Sequence, residues 1–151
     1  MDLNELYEKF PDENDLIRLI EEVFWRKQPT CPYCESKNYS QRKINNGKYK
    51  TFRYHCNNCN TDYTVLVNTI FQNTKLQLHK WILALMVVID SNGLISVRNL
   101  AKKLNVSKDT ALRMRTLILK SIIEKNFVKK IENIKRRINN DRKKQNTQSL
   151  I

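Results

Sequence analysis

Cys31-Pro32-Tyr33-Cys34 and, 21 residues later, Cys56-Asn57-Asn58-Cys59 are the stretches that decide the fold of this chain. They contain all 4 of its cysteines, in two Cys-x-x-Cys motifs. Each motif can present two thiolates on one tight turn, and two such turns complete a tetrahedral zinc site. The spacing therefore predicts a zinc ribbon with a structural Zn2+, whose ligands are Cys31, Cys34, Cys56 and Cys59.

Three other uses of the cysteines are less favoured. The N-terminus Met1–Glu5 has neither a basic segment nor an apolar run after it, so we expect a reducing compartment rather than two disulfides. A thioredoxin-like redox pair needs one motif at a helix start, not two on a hairpin. A catalytic zinc needs an open coordination position, which four thiolates fill. We expect His55, beside Cys56, to be a strand side chain.

The sequence between and after the motifs predicts a small β module. Two strands flank Asn46-Gly47, a pair that suits a type I′ hairpin turn, and Asp62–Val67 is rich in β-forming residues and predicts a third strand. Asn60 follows the second motif and tolerates the left-handed backbone that such a turn needs. A module of about 40 residues buries too little apolar surface to fold alone, so we expect zinc to supply much of its stability.

The rest of the chain reads as helical. A helix starting at Phe10–Asp15 and ending at Trp25 is expected to dock, and Leu78–Ile89 predicts a buried helix. Two more helices follow, and the last of them is expected to continue along an apolar stripe from Ile123 to Ile138. We therefore predict an α+β, mainly α fold, with a tail that is disordered from Asn139. The predicted domains are an N-terminal docking helix (1–28), a zinc ribbon (29–67), a helix-turn-helix domain (68–120) and a basic helical extension with the tail (121–151).

Two helices separated near Leu104-Asn105-Val106 fit a helix-turn-helix. Ser96 and Ser107 can cap them, and Ala101 is small where they would cross. The outward positions predict contacts with DNA from Arg98, Lys102, Lys103, Ser107, Lys108, Thr110, Arg113 and Arg115. The alternative is a plain helical hairpin with a solvated basic face.

The charge of the chain favours a polyanionic partner. Lys and Arg number 28 against 15 Asp and Glu, a net charge of +13. Residues 1–28 are acidic, with 8 acidic and 4 basic side chains, and every later segment is basic. Such a field attracts nucleic acid or an anionic membrane. The longest apolar run, Trp81–Ile89, is far shorter than the roughly 20 residues of a spanning helix, so we expect double-stranded DNA and no membrane.

Several stretches resemble the N-terminal DNA-binding region of Merlin-group insertion-sequence transposases. They include Tyr54-His55-Cys56-Asn57-Asn58-Cys59, then Asn68-Thr69-Ile70-Phe71, and Leu104-Asn105-Val106-Ser107. Glu35 and Asn68 stand where the family tends to have glycine. The resemblance implies a zinc ribbon followed by a helix-turn-helix. Such transposases continue into an acidic ribonuclease-H-like catalytic domain, and Lys129–Lys135 does not match its first acidic cluster.

From these observations we expect a zinc-dependent, transposase-derived protein that recognises duplex DNA, at mobile-element terminal repeats or an operator, without catalysis of its own. It is expected in the cytoplasm in association with DNA, or in the nucleus of a eukaryotic host. One alternative is a truncated or split transposase subunit whose catalysis in DNA transposition comes from another chain. Another is a protein-interaction or transcription-regulator module, in which the stripe through Ile138 pairs two chains as a homodimer or covers its own core.

Overall fold

The computed structural model describes residues 1–26, 28–43, 49–72, 74–122 and 127–148. Two compact units divide the chain: a helical unit, Met1–Pro11 with the chain from Leu76 onward, and a β unit, Asp12–Lys75. Across these described ranges there are six helices and one three-stranded antiparallel sheet, which confirms the α+β, mainly helical class. The unit boundaries differ from those predicted at 28, 67 and 120, because each unit groups the elements that pack together.

Helix α2 (Glu13–Trp25) opens the β unit. It begins where the sequence predicts, with the Asp12 carboxylate accepting a hydrogen bond from the Asn14 amide at 3.0 Å. It ends at Trp25, since Arg26 takes a left-handed conformation (φ 51) and caps it. Its apolar side buries Leu16, Leu19 and Ile20.

Strands β1 (Tyr39–Lys43) and β2 (Tyr49–Cys56) pair antiparallel, with Tyr39 opposite Cys56 and Gln41 opposite Tyr54. The register shifts between Gln41 and Lys43, as at a β-bulge. The predicted Asn46-Gly47 turn lies outside the described residues.

Strand β3 is shorter than predicted. It covers Asp62–Tyr63 and pairs with β2, whereas Thr64–Val67 forms a turn instead of continuing the strand. The reason is local hydrogen bonding: the Thr64 hydroxyl accepts from the Leu66 amide at 3.2 Å, and its carbonyl accepts from the Val67 amide at 3.3 Å. Threonine side chains that bond to nearby amides in this way compete with the strand ladder.

Helices α1 (Leu3–Lys9) and α3 (Leu78–Asp90) pack against each other in the helical unit. The sequence predicted a single helix within residues 1–28, so α1 is an addition to that prediction; Asp2 caps it through the Glu5 amide at 2.8 Å. Helix α3 is buried on nearly every side, as its sequence predicts. Its His79 is buried, and Nε2 of that ring lies 2.5 Å from the Phe10 carbonyl oxygen.

Helices α4 (Val97–Leu104) and α5 (Lys108–Ile122) pack together and are joined by Asn105-Val106-Ser107. Both predicted caps form: Ser96 Oγ accepts from the Asn99 amide at 3.1 Å, and Ser107 Oγ accepts from the Thr110 amide at 3.2 Å. Asn105 ends α4 in the left-handed conformation, with φ 52.

Helix α6 (Phe127–Gln148) packs against α3 and α5. Its apolar stripe is buried within this one chain: Phe127, Ile131, Ile134 and Ile138. The helix also continues past Asn139, where the sequence predicted a disordered tail, because no proline or glycine interrupts residues 139–148. Whether α5 and α6 are continuous, as the stripe predicted, depends on residues 123–126, outside the described ranges.

Candidate metal centre and nucleic-acid interface

The four cysteine sulfurs converge on one point of the β unit. The sulfurs of Cys31 and Cys59 are 3.6 Å apart, those of Cys34 and Cys56 are 3.5 Å apart, and all four lie within 4.8 Å of one another. A tetrahedral zinc with bonds of about 2.3 Å requires sulfur–sulfur edges of about 3.8 Å. The arrangement therefore has the dimensions of a zinc–thiolate tetrahedron.

Each pair of cysteines sits on the same kind of backbone turn. In the first, the Glu35 amide donates to the Cys31 carbonyl and the Cys31 amide donates to the Ser36 carbonyl, both at 2.9 Å. In the second, the Asn60 amide donates to the Cys56 carbonyl and the Cys56 amide donates to the Thr61 carbonyl, also at 2.9 Å. Asn60 has φ 57, which confirms the left-handed backbone predicted for it. Two equivalent turns therefore present the four sulfurs.

Backbone amides favour the thiolate form of Cys56. The Cys59 amide, and then the Asn58 amide, hydrogen-bond to its sulfur and lower its pKa to about 6, despite burial. At Cys34 the Ser36 amide acts in the same direction, but the neighbouring sulfurs, led by Cys56, raise its pKa to about 12. Crowded sulfurs cannot all ionise without a cation between them, and Zn2+ supplies that charge.

An aromatic layer supports the cysteines from the side of α2. Tyr54 and Tyr63 are buried with Cys31 and Cys56 in one cluster, and Trp25 packs against it. The Trp25 ring meets Tyr54 edge-on at 5.4 Å and Tyr63 at 5.8 Å between ring centroids. The C-terminal end of α2 thus packs on the sheet beside the metal site.

His55 is held away from the sulfurs by a polar cluster. Its Nδ1 lies 2.7 Å from Oδ1 of Asp62, directly opposite on β3, and Arg42 Nε donates to the same oxygen at 2.9 Å. Burial alone would raise the pKa of Asp62, but the hydrogen bonds from His55 and Arg42 hold it below its usual range. His55 is therefore a strand side chain in an exposed cluster and not a ligand.

Residues 11–62 match the transposase zinc-ribbon domain family. With the sulfur geometry, this match identifies Cys31, Cys34, Cys56 and Cys59 as the ligands of a structural Zn2+, as the sequence predicted. The match includes residues 11–30, and the β unit also contains α2. Helix α2 therefore belongs to the zinc ribbon.

The chain is also similar to a Halobacterium salinarum protein described as an uncharacterized protein in transposable element ISH50. The two are 29% identical over 114 residues, which is 75% of this chain and 37% of that protein. The chain thus spans less than two-fifths of the length of this relative. No solved structure matches the chain.

Outside the zinc ribbon, the α4–α5 pair brings four of the eight predicted DNA-contact residues together. A groove of about 590 Å³ lies beside the connection between these helices. Arg98, Lys102, Ser107 and Lys108 line it, with Ala101, Asn105 and Val106. It carries three cationic side chains and no carboxylate, and it ends at the capped N-terminus of α5, where helix amides face outward.

The other four predicted residues lie outside this lining. Lys103 and Arg113 are exposed, and the Thr110 hydroxyl accepts a hydrogen bond from Ser107 at 2.9 Å. Arg115 is half-buried, and its Nη2 donates to the Gly93 carbonyl at 2.8 Å. Arg115 therefore ties α5 to the loop after α3, and its contact with DNA stays a prediction.

Two features of this surface are absent from the predicted set. Leu112 is 49% exposed, an apolar side chain on the outer face of α5. Lys80 on α3 donates to the Asn105 carbonyl at 3.2 Å, so it satisfies a free carbonyl at the end of α4. The helical period of α5 in the sequence is enough to place Leu112 outward. The Lys80 contact joins residues that are distant in sequence, so no local sequence pattern predicts it.

Acidic side chains do not form a second metal centre in the part of the chain that the structure describes. There, the cysteines are the one group of three or more His, Cys, Asp or Glu residues close enough to share an ion. In the same ranges, no helix is both long and apolar enough to cross a membrane.

Proposed function

We propose that this chain binds double-stranded DNA through a helix-turn-helix formed by α4 and α5, and that its zinc ribbon derives from a transposase of the Merlin group. The proposed targets are the terminal repeats of a mobile element, with an operator as the alternative, and the proposed location is the cytoplasm or the nucleus of a eukaryotic host. The zinc-ribbon match and the similarity to a protein of a transposable element support mobile-element ends.

The basic groove at the α4–α5 connection is the observation that carries this proposal. A connection of three residues joins the two helices, with Asn105 capping the end of α4 and Ser107 the start of α5. In a helix-turn-helix the second helix enters the major groove at its N-terminal end while the first crosses the phosphate backbone. The cations of the groove surround that N-terminal end, and DNA phosphates are the ligands that such a surface attracts.

This geometry divides the proposed contacts into two classes. Arg98, Lys102 and Lys103 on α4 neutralise phosphates and set the register of the protein on DNA. Lys108, Thr110 and Arg113 on the first turns of α5 reach base edges, where lysine and arginine prefer guanine acceptors. Ser107 orders the helix start and offers its own hydroxyl to a phosphate.

We assign DNA recognition, and no strand cleavage, to these residues. Two-metal strand transfer needs carboxylates that converge on one site, and the thiolate cluster fills the coordination sphere of its metal. If the chain acts in transposition, the proposal assigns the catalytic step to other carboxylates, in another chain or in a longer protein. Incubation with element-end DNA and Mg2+ or Mn2+ tests this assignment, because cleavage or joining by this chain alone would overturn it.

The DNA-binding proposal is tested by fluorescence anisotropy with duplex DNA at several salt concentrations. Lys102→Gln removes a groove cation, and Lys120→Gln makes the same charge change on α5, about 18 Å from Lys108 along the helix axis. We expect the affinity of the unaltered chain to fall steeply with salt, and Lys102→Gln to reduce the log–log slope by about one, with a smaller change for Lys120→Gln. An affinity that does not respond to salt would refute the proposal.

An operator-binding regulator is the second candidate function, and in vitro selection of bound DNA separates it from the first. A consensus that matches the termini of a mobile element supports recognition in transposition. A palindromic consensus indicates a symmetric dimer on an operator, since the two-fold symmetry of the site mirrors that of the protein.

A further inference from the structure

A second cavity lies within the zinc ribbon, between α2 and the sheet. Its volume is about 250 Å³, large enough for one long side chain and too small for a folded element. The side chains that matter for its chemistry are Trp25, Tyr39, Tyr54, Glu21, Glu22 and Arg18.

Three aromatic rings form one side of this cleft. The ring of Tyr54 meets Trp25 at 77° and Tyr39 at 85°, each with 5.4 Å between centroids. Rings packed at right angles turn their faces in different directions, and a ring face attracts cations because its π electrons are negative. Tyr39 is 39% exposed, so one wall remains open to a ligand.

Two carboxyl groups also line the cleft. Glu21 accepts a hydrogen bond from the Tyr54 hydroxyl at 2.9 Å, and Glu22 follows it on α2. Both side chains are half-buried, and burial raises the pKa of Glu21 although Tyr54 and Arg18 act against it. A cation beside Glu21 would offset the cost of burying its charge.

Arg18, the one cation of the lining, acts on the charge of Glu21 and also has two other partners. Its guanidinium carbon lies 5.7 Å from the centroid of the Phe52 ring, and Nη1 lies 3.8 Å from Oδ1 of Asp15. The lining of the cleft is acidic overall, with Glu21 and Glu22 against Arg18. This charge repels phosphate, so the cleft complements a cationic ligand rather than DNA.

We propose that this cleft binds the cationic side chain of a lysine or arginine presented by a partner protein. Aromatic faces and carboxylates are the combination that recognises ammonium and guanidinium groups. The ribbon would then hold a protein on its acidic face, while the basic groove on α4 and α5 serves DNA. The inference does not depend on the DNA-binding proposal, since the two surfaces share no residue.

Two-dimensional NMR of the full, zinc-loaded chain tests this inference directly. The chain has 2 tryptophans, so each indole N–H gives one signal; Trp25 lines the cleft, and Trp81, which is buried, serves as an internal control. The probes are the N-acetyl methylamides of lysine, arginine and norleucine at constant ionic strength. We expect the Trp25 signal to shift saturably with the two cationic probes, and the neutral norleucine probe to leave it unchanged.

Substitutions inside and outside the cleft test where the cationic probes bind. Tyr39→Ala and Glu22→Gln should each weaken the binding of the lysine probe by about two- to fivefold, the effect of one exposed cation–aromatic or cation–carboxylate contact. Tyr33→Ala is the matched control, since Tyr33 is a 55% exposed tyrosine of the same ribbon outside the cleft. An equal response to norleucine, the absence of a Trp25 shift, or unchanged affinity in Tyr39→Ala with normal zinc content would each overturn the proposal. None of these results bears on DNA binding, which anisotropy measures separately.

Discussion

Glu35 and Asn60 occupy equivalent positions in the two cysteine turns. Each follows the second cysteine of its motif, each has a left-handed backbone (φ 63 and φ 57), and each amide donates to the carbonyl of the first cysteine at 2.9 Å. Their chemistry differs, because asparagine adopts this conformation readily and glutamate does not. The first turn therefore stores a backbone cost that the second avoids.

Glu35→Gly should stabilise the zinc-loaded ribbon. Glycine has no Cβ to oppose the positive φ, and the relief exceeds its entropic cost, so we expect a gain of about 0.5–1 kcal/mol in the free energy of unfolding. Urea unfolding followed by the indole N–H signal of Trp25 in NMR spectra measures this gain. Lys37→Gly is the control, since Lys37 is exposed and lacks a positive φ; a loss of stability in both variants would show that Glu35 is unstrained.

Zinc removal should unfold the ribbon and leave the helical unit folded. Cys56→Ser deletes the thiolate that two backbone amides stabilise, and binding free energies of about 10–16 kcal/mol for structural zinc leave little to hold residues 30–66 without it. We expect the Trp25 indole signal to move to its unfolded position while that of Trp81 stays. Because zinc requires thiolates, lowering the pH should release the metal and produce the same change.

Asn58→Ser is the control for Cys56→Ser. Asn58→Ser changes an exposed side chain in the same turn but keeps its backbone amide, so zinc content measured by mass spectrometry should stay at one ion per chain. Protein prepared without chelators that contains no zinc, or a Cys56→Ser variant that keeps both indole signals in place, would contradict the assignment of the metal site.

The sequence specified the metal site well because its signals are local. Two Cys-x-x-Cys turns, Asn60 after the second of them and the serine caps of α4 and α5 depend on residues within a few positions of each other. Helix α1 also had a local signal, since Asp2 and Glu5 stand at cap spacing, but its single buried residue, Leu6, gave no periodic stripe to read.

Long-range contacts explain the remaining differences. Arg115 has the period of an outward residue, yet its guanidinium meets Gly93, 22 positions earlier, because the loop after α3 lies beside α5. The cleft of the ribbon combines residues of α2 with Tyr39 and Tyr54 on two strands, a combination that no spacing encodes. Contacts of this kind depend on the packing of distant segments, which periodicity does not report.

Substitution of Arg113 should affect DNA binding, whereas substitution of Arg115 should affect the stability of the fold. Arg113 is exposed, so Arg113→Gln should change the free energy of unfolding by less than about 0.5 kcal/mol and weaken specific DNA binding by about 1–3 kcal/mol. Arg115→Gln should instead destabilise the fold by about 1–2 kcal/mol, because the Gly93 carbonyl loses its donor. Thermal unfolding measures the stability of both variants, and fluorescence anisotropy measures their DNA binding. A stable Arg115→Gln variant with impaired DNA binding would place Arg115 at the DNA interface.

Substitution of Ile134 tests whether the apolar stripe of α6 is buried within one chain or between two chains. Its side chain is 1% exposed, and α6 packs against α3 and α5 of the same molecule. Ile134→Ala should therefore leave a cavity and cost about 2–5 kcal/mol, measured by urea unfolding, with no dependence on protein concentration. Asn133→Ala, at the exposed neighbouring position, should have little effect. If the stripe instead joined two chains, Ile134→Ala would lower the molar mass seen by light scattering and make unfolding depend on concentration, because a side chain buried at a dimer interface is exposed when the partners separate.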